Sequence, residues 1–187
     1  MLSEDARLGM LHAPGAVIFA AIAGIMIMLI MICIPYTSRK VPINYIMLTT
    51  FTLCEAYMVA FICAAVDNRV AVLAAAFCTA GIVVALTMYA MFTKTDFTYF
   101  GGFCVILAAS MALFLTFSII FGFKPHFVYC MFGTILFGIY LIIDTQMIIG
   151  GKRHTHISKE DYILAATILY LDILNIFLYL LRLFGDR

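Results

Sequence analysis

Six long apolar runs, each near the roughly 20 residues that carry a helix across a ~30 Å hydrocarbon core, take up most of this chain. They cover approximately residues 13–34, 43–66, 70–92, 99–121, 127–149 and 162–184. Their apolar residues are continuous rather than alternating, which favours helices over the strands of a barrel. An open sheet edge in lipid would also leave peptide groups without partners. Of the 187 residues, 66% are hydrophobic and 11% charged, against about 45–50% and about 25% in soluble domains. A soluble core of this size cannot hide that excess, so lipid is the solvent. The sequence predicts an all-α polytopic membrane protein with about six transmembrane helices. Residues 1–12 form a short polar N-terminus, 13–184 one helical transmembrane domain, and 185–187 a short C-terminal end. A net charge of +1 offers no surplus for a polyanion, so nucleic acid is not an expected partner and membrane lipid is.

The links are short and punctuated. Pro35 and Pro42 flank the first, Asp67-Asn68-Arg69 the second, Lys94-Thr95-Asp96 the third, and Lys124-Pro125 the fourth. The fifth is the longest and ends in Ser158-Lys159-Glu160-Asp161, a capping-box pattern with Asp in the fourth place. Arg39 and Lys40 in the first link and Lys152, Arg153 and Lys159 in the fifth outnumber Arg69 and Lys124 in the second and fourth. The positive-inside rule then places links one, three and five in the cytosol and both termini outside it. The charged start, with Glu4, Asp5 and Arg7 and no signal or earlier span ahead of it, fits that orientation awkwardly. Translocation of a short tail would account for it, and so would an upstream helix missing from this chain. The first run is too long for a signal peptide and lacks a basic leader.

Six cysteines lie inside apolar stretches without a C-x-x-C pair, which reads as small reduced hydrophobes rather than a disulfide framework or zinc site. His154 and His156 sit in a basic link and read as solvated. The ionisable residues within spans are Glu55, Asp144 and Asp172, and such residues are costly enough to be functional candidates by default. Arg182 lies near a helix end and can snorkel. Asp144 stands about one and a half turns before the end of the fifth run, and Asp172 about three turns into the sixth. A short link makes these helices antiparallel neighbours. Their depths differ by roughly 6–10 Å at ~1.5 Å per residue, a gap that tilt can close.

If the carboxyls meet, both cannot ionise cheaply in a low dielectric, so the pair titrates as a unit and shares a proton. Loss of that proton leaves oxygens that repel each other and attract a hard cation such as Ca²⁺. A proton-controlled cation gate is one reading. The other leaves each Asp protonated and bonded to backbone or to Asn175, Thr145 or Gln146, and Glu55 carries the same alternative. Two aspartates on consecutive helices also describe intramembrane proteases, but Ile143 and Leu171 precede them here in place of the Y-D and G-x-G-D patterns. Neither G-x-S-x-G nor H-E-x-x-H occurs, and no enzyme activity or cofactor is expected.

The strings Ile143-Asp144-Thr145-Gln146, Gly150-Gly151-Lys152, Ser158-Lys159-Glu160-Asp161-Tyr162-Ile163 and Tyr170-Leu171-Asp172-Ile173-Leu174-Asn175-Ile176-Phe177 resemble the transmembrane Bax-inhibitor-motif family. The lifeguard and Golgi anti-apoptotic branches look most similar. Phe51-Thr52-Leu53-Cys54-Glu55-Ala56-Tyr57 and Thr93-Lys94-Thr95-Asp96-Phe97-Thr98 extend the resemblance along nearly the whole chain. It implies a seven-helix bundle, of which the six runs are helices two to seven, with the first helix absent. It also implies a Ca²⁺ leak from the endoplasmic reticulum or Golgi, or a place in the plasma membrane, and suppression of cell death. Asp144 and Asp172 would then be the pH-sensing pair and Ca²⁺ contacts, with Glu55 and Asn175 supporting a cation pathway. Some relatives pair an Arg at the end of the first run with the aspartate. Arg39 is the expected counterpart, although Thr37 or Ser38 stands near the matching place. A non-conducting adaptor that binds death-regulating or Ca²⁺-channel membrane proteins through helix contacts is the alternative.

Overall fold

The computed structural model describes residues 9, 12, 14–66, 68–121, 126–150 and 157–185. Among them lie seven α-helices and no strand: α1 Pro14–Cys33, α2 Pro35–Arg39, α3 Ile43–Ala65, α4 Arg69–Phe92, α5 Gly101–Phe121, α6 His126–Ile149 and α7 Tyr162–Gly185. Short 3₁₀ turns, Phe97–Phe100 and Lys159–Asp161, lead into α5 and α7. Six helices are long and apolar enough to cross a membrane, all but the short α2. Most of the polar N-terminus and most of the fifth link lie outside the described residues, as do Asp67, residues 122–125 and residues 186–187.

Helix ends follow from local chemistry. Pro35 pushes Ile34 out of the helical region, to φ −122 and ψ 85, which stops α1. The same proline then occupies the first position of α2, where its missing N–H costs nothing. The sequence reading left 35–42 as a plain link; the structure coils its first five residues. Thr37 Oγ1 donates to Ile34 O at 2.7 Å and buried Ser38 Oγ to Pro35 O at 3.0 Å, so side chains fill in for missing helix partners. At the end of α6, Gly150 takes φ 64 while its N–H bonds Gln146 O at 3.0 Å, the left-handed cap that a residue without Cβ supplies.

Lipid accounts for the surface. Phe19, Phe77 and Phe92 are each about three-quarters exposed (75%, 77% and 74%), an arrangement water would penalise. Several hydroxyl side chains in the spans are satisfied inside their own helices. Thr50, Thr52, Thr79, Ser110, Thr116, Thr134 and Thr167 each donate to the carbonyl four residues earlier. All six cysteines are free.

The chain forms two compact units. The first comprises Met1–Arg69 with Lys159–Thr167. Here α1 lies along α3, and Gly24 makes room for Glu55: a Cβ at Gly24 would stand 3.1 Å from Glu55 Oε1. Asn44, fully buried at the start of α3, donates to Tyr162 Oη at 2.9 Å and so fastens α3 to the first turn of α7. Gly24→Ala is expected to displace the Glu55 carboxyl by a few tenths of an ångström, a cost that offsets the ~0.5–1 kcal/mol Ala gains over Gly in a helix and leaves the stability of this unit nearly unchanged. Thermal unfolding in detergent measures it; a midpoint raised by the full helix gain would contradict the close approach. The second unit comprises Val70–Ser158 with Ile168–Arg187. Its core cluster joins Cys104 of α5 to Leu136 and Ile143 of α6, flanked by Leu107, Ala108 and Met111.

Candidate functional site

In α6, Leu141 through Gln146 are buried without a break, so polar residues at its end have no lipid or water to face. Asp144 is 6% exposed there. On α7, Asp172, Ile176 and Leu180 recur at four-residue spacing and mark a buried stripe, with Asp172 5% exposed; Leu174 and Leu181 are buried on the opposite side of the helix. The two carboxyls lie close enough to interact with each other, so the depth difference allowed by the sequence is closed in the fold. Tyr140 of α6 lies within electrostatic reach of both, and Cys104 of α5 of Asp144. Among the described residues, Asp172 Oδ2 is buried with no hydrogen-bond partner, and so is the Thr145 hydroxyl. In chemical terms the pair offers one tie between helices that requires a proton and one free oxygen that can accept.

The other candidates fall elsewhere. Asn175 donates its amide to Leu171 O at 2.8 Å, within its own helix. Gln146, weighed from sequence as a partner for the aspartates, instead accepts from the Phe97 N–H at 2.8 Å and donates to Thr95 O at 3.0 Å. Glu55 is 8% exposed at mid-span in α3, against Gly24 in the first unit. Among the described residues no three His, Cys, Asp or Glu side chains converge to hold a metal ion. His154 and His156 lie outside the described residues.

Arg39 finds a carboxylate, but a different one from that expected. Its Nε and Nη2 donate to the two oxygens of Asp161 at 2.7 and 2.8 Å, with Glu160 at 3.6 Å. Both partners sit just outside spans, at the end of α2 and the start of α7, where a charge pair needs no burial. A planar guanidinium reading both oxygens at once is its preferred geometry. Together with Asn44–Tyr162, this bond ties the end of α2 and the start of α3 to the start of α7. The bonds from Arg39 hold the Asp161 carboxyl below its ordinary range, despite partial burial, and raise Arg39 above its own. A lowered carboxylate value means the tie is complete above the ordinary pKa and is lost only as pH falls through the lower, folded value. It therefore persists at all cellular pH values. Arg39→Ala is expected to speed amide hydrogen exchange in the first turn of α7 by about two- to fivefold at neutral pH, the modest effect of an exposed pair. An unchanged exchange rate would show the bond to be idle.

Sequence reasoning missed the bond partners of Gln146 and Arg39, and it missed Gly133. A Cβ at Gly133 would run into the ring of Tyr179 on α7. A glycine inside an otherwise bulky span was the available signal.

Comparison with known proteins agrees with this architecture. The family described as inhibitor of apoptosis-promoting Bax1 matches residues 5–187. The chain is 37% identical to Protein lifeguard 3 of Homo sapiens over 164 residues, which covers 85% of this chain and 52% of that protein. It is 38% identical to Protein lifeguard 3 of Mus musculus over 160 residues, covering 83% and 51% respectively. With Protein LIFEGUARD 3 of Arabidopsis thaliana the identity is 36% over 159 residues, covering 82% and 62%. The chain thus spans about half the length of the mammalian relatives it matches. A six-span helical chain with this sequence belongs to the Bax inhibitor family of membrane proteins.

Proposed function

We propose that this chain acts as a proton-gated Ca²⁺ leak of an internal membrane, and by lowering stored Ca²⁺ restrains cell death. The observation that carries the reading is the buried Asp144–Asp172 pair on the last two helices. The family description and the lifeguard name of its relatives support the second half of it. While a proton is shared, the carboxyls tie α6 to α7. As pH rises and the proton leaves, two negative oxygens in a low dielectric repel each other and the tie opens. The same loss exposes oxygen ligands to a hard cation. Two carboxylates are too few for a storage site, and that suits an ion which must leave as readily as it enters.

The sign is fixed by this chemistry: efflux rises with pH. A gate governed by one proton changes its open-to-closed ratio by at most about tenfold per pH unit. The test is Ca²⁺ efflux from vesicles holding the purified chain, with buffers stepped from acidic to alkaline. Graded efflux is expected. Vesicles that stay Ca²⁺-tight while the chain still protects cells would overturn this reading in favour of an adaptor that works by helix contacts.

A further inference from the structure

We propose that Gln146 is a positioning residue for the carboxyl pair: by tying α6 to the main chain of the third link, it holds Asp144 in register with Asp172. The inference rests on the reading of that pair as the functional site.

Gln146 is fully buried, yet both ends of its amide are used. Oε1 accepts the Phe97 N–H at 2.8 Å and Nε2 donates to Thr95 O at 3.0 Å. The side chain thus pairs with the backbone as a second peptide group would. Removing it leaves a donor and an acceptor of the link without these partners, which is the costly half of losing a buried hydrogen bond. The link is shaped to present them. Asp96, between the two contacts, turns its Oδ1 to the Thr98 N–H at 3.0 Å and the Thr98 hydroxyl at 2.7 Å, which starts the 3₁₀ turn. The Thr93 hydroxyl accepts the Thr95 N–H at 3.3 Å. The string from Thr93 to Thr98 thereby gains a mechanical task.

Helical geometry then connects the clamp to the pair. Gln146 follows Asp144 by two positions, so the two side chains project about 200° apart around α6. The helix is held from behind by the third link while its opposite side meets Asp172. The seam of Cys104, Leu107, Ala108 and Met111 against Leu136 and Ile143 continues that hold along α5. Rotation of α6 would move the Asp144 carboxyl away from its partner, and the clamp resists rotation. The titratable neighbours are Tyr140 on α6 and Cys104 on α5 beside the pair, and Asp96 within the link, whose Oδ1 is taken by Thr98.

The experiment is infrared spectroscopy of the full chain in lipid at one fixed pH, with aspartate carboxyls ¹³C-labelled. The band of interest is the carboxyl C=O stretch that vanishes in Asp144→Asn. Gln146→Met keeps length and helix propensity but makes neither bond, and should shift that band. Gln146→Glu, whose neutral acid can donate and accept in the same places, should keep it in position. Asp96→Ala loosens the link without touching α6 and should shift the band in the same direction by less. The inference is overturned if Gln146→Met and Asp96→Ala leave the band unmoved, or if Gln146→Glu moves it as far as Met does. The readout does not involve Ca²⁺. A wild-type chain without pH-dependent efflux would remove the proposed function while a shifted band in Gln146→Met still upheld the clamp.

Discussion

Replacing Asp172 by Asn is expected to flatten the pH response of Ca²⁺ efflux and to hold the rate near the acidic wild-type level. Asn matches Asp in shape and cannot ionise. Its amide donates to the Asp144 carboxylate, so the tie between α6 and α7 survives at a pH where the shared proton would have left. Wild-type efflux, limited to about tenfold per pH unit by a single proton, should rise over the same interval. Asp144→Asn should do the same from the other helix. Because the two carboxyls titrate as one unit, the double variant should add little to either single change. Efflux measured across the pH series for all four chains checks this. A pH response that survives in both single variants would remove the pair from the mechanism.

Gly133→Ala is expected to destabilise the second unit by about 1–3 kcal/mol, the range for forcing volume into a packed core. Taken alone, the change should help, since Ala in a helix is better than Gly by about 0.5–1 kcal/mol. The sign reverses because the new methyl meets the Tyr179 ring. That ring is hemmed in on the same stretch of α6. Tyr129, one turn before Gly133, has its hydroxyl 3.4 Å from Tyr179 Oη, and Phe137, one turn after, places its ring centroid 5.8 Å away. Tyr179 therefore sits in a notch whose floor is glycine, and the ring can move only by giving up both neighbours. Unfolding in detergent measures the loss. Trimming the ring in Tyr179→Leu should recover part of it in the double variant, and a stabilised Gly133→Ala would contradict the notch.

The spans were legible because one physical demand, closure of every peptide hydrogen bond in lipid, leaves a continuous apolar run with a single solution. Read ends at 34, 92 and 149 fall within one residue of Cys33, Phe92 and Ile149. Asp144 and Asp172 were legible as candidates because a carboxyl in a span has few bland explanations. Their meeting was not, since it depends on tilt that residue counting cannot supply. The partners of Arg39 and Gln146 were hidden for a related reason. Asp161 lies 122 positions from Arg39 and Thr95 lies 51 from Gln146, so no local pattern connects them. The short α2 was missed because two prolines read as breakers, although Pro35 is placed where proline begins a helix.

The central claim is that Asp144 and Asp172 touch through a proton. Magic-angle-spinning NMR of the chain in lipid, with only aspartate side-chain carboxyls ¹³C-labelled, tests it without reference to transport. The account predicts one through-space carboxyl–carboxyl contact at acidic pH, absent in Asp144→Asn and fading as pH is raised. No contact at any pH, or one of unchanged strength from acid to alkaline, would contradict it.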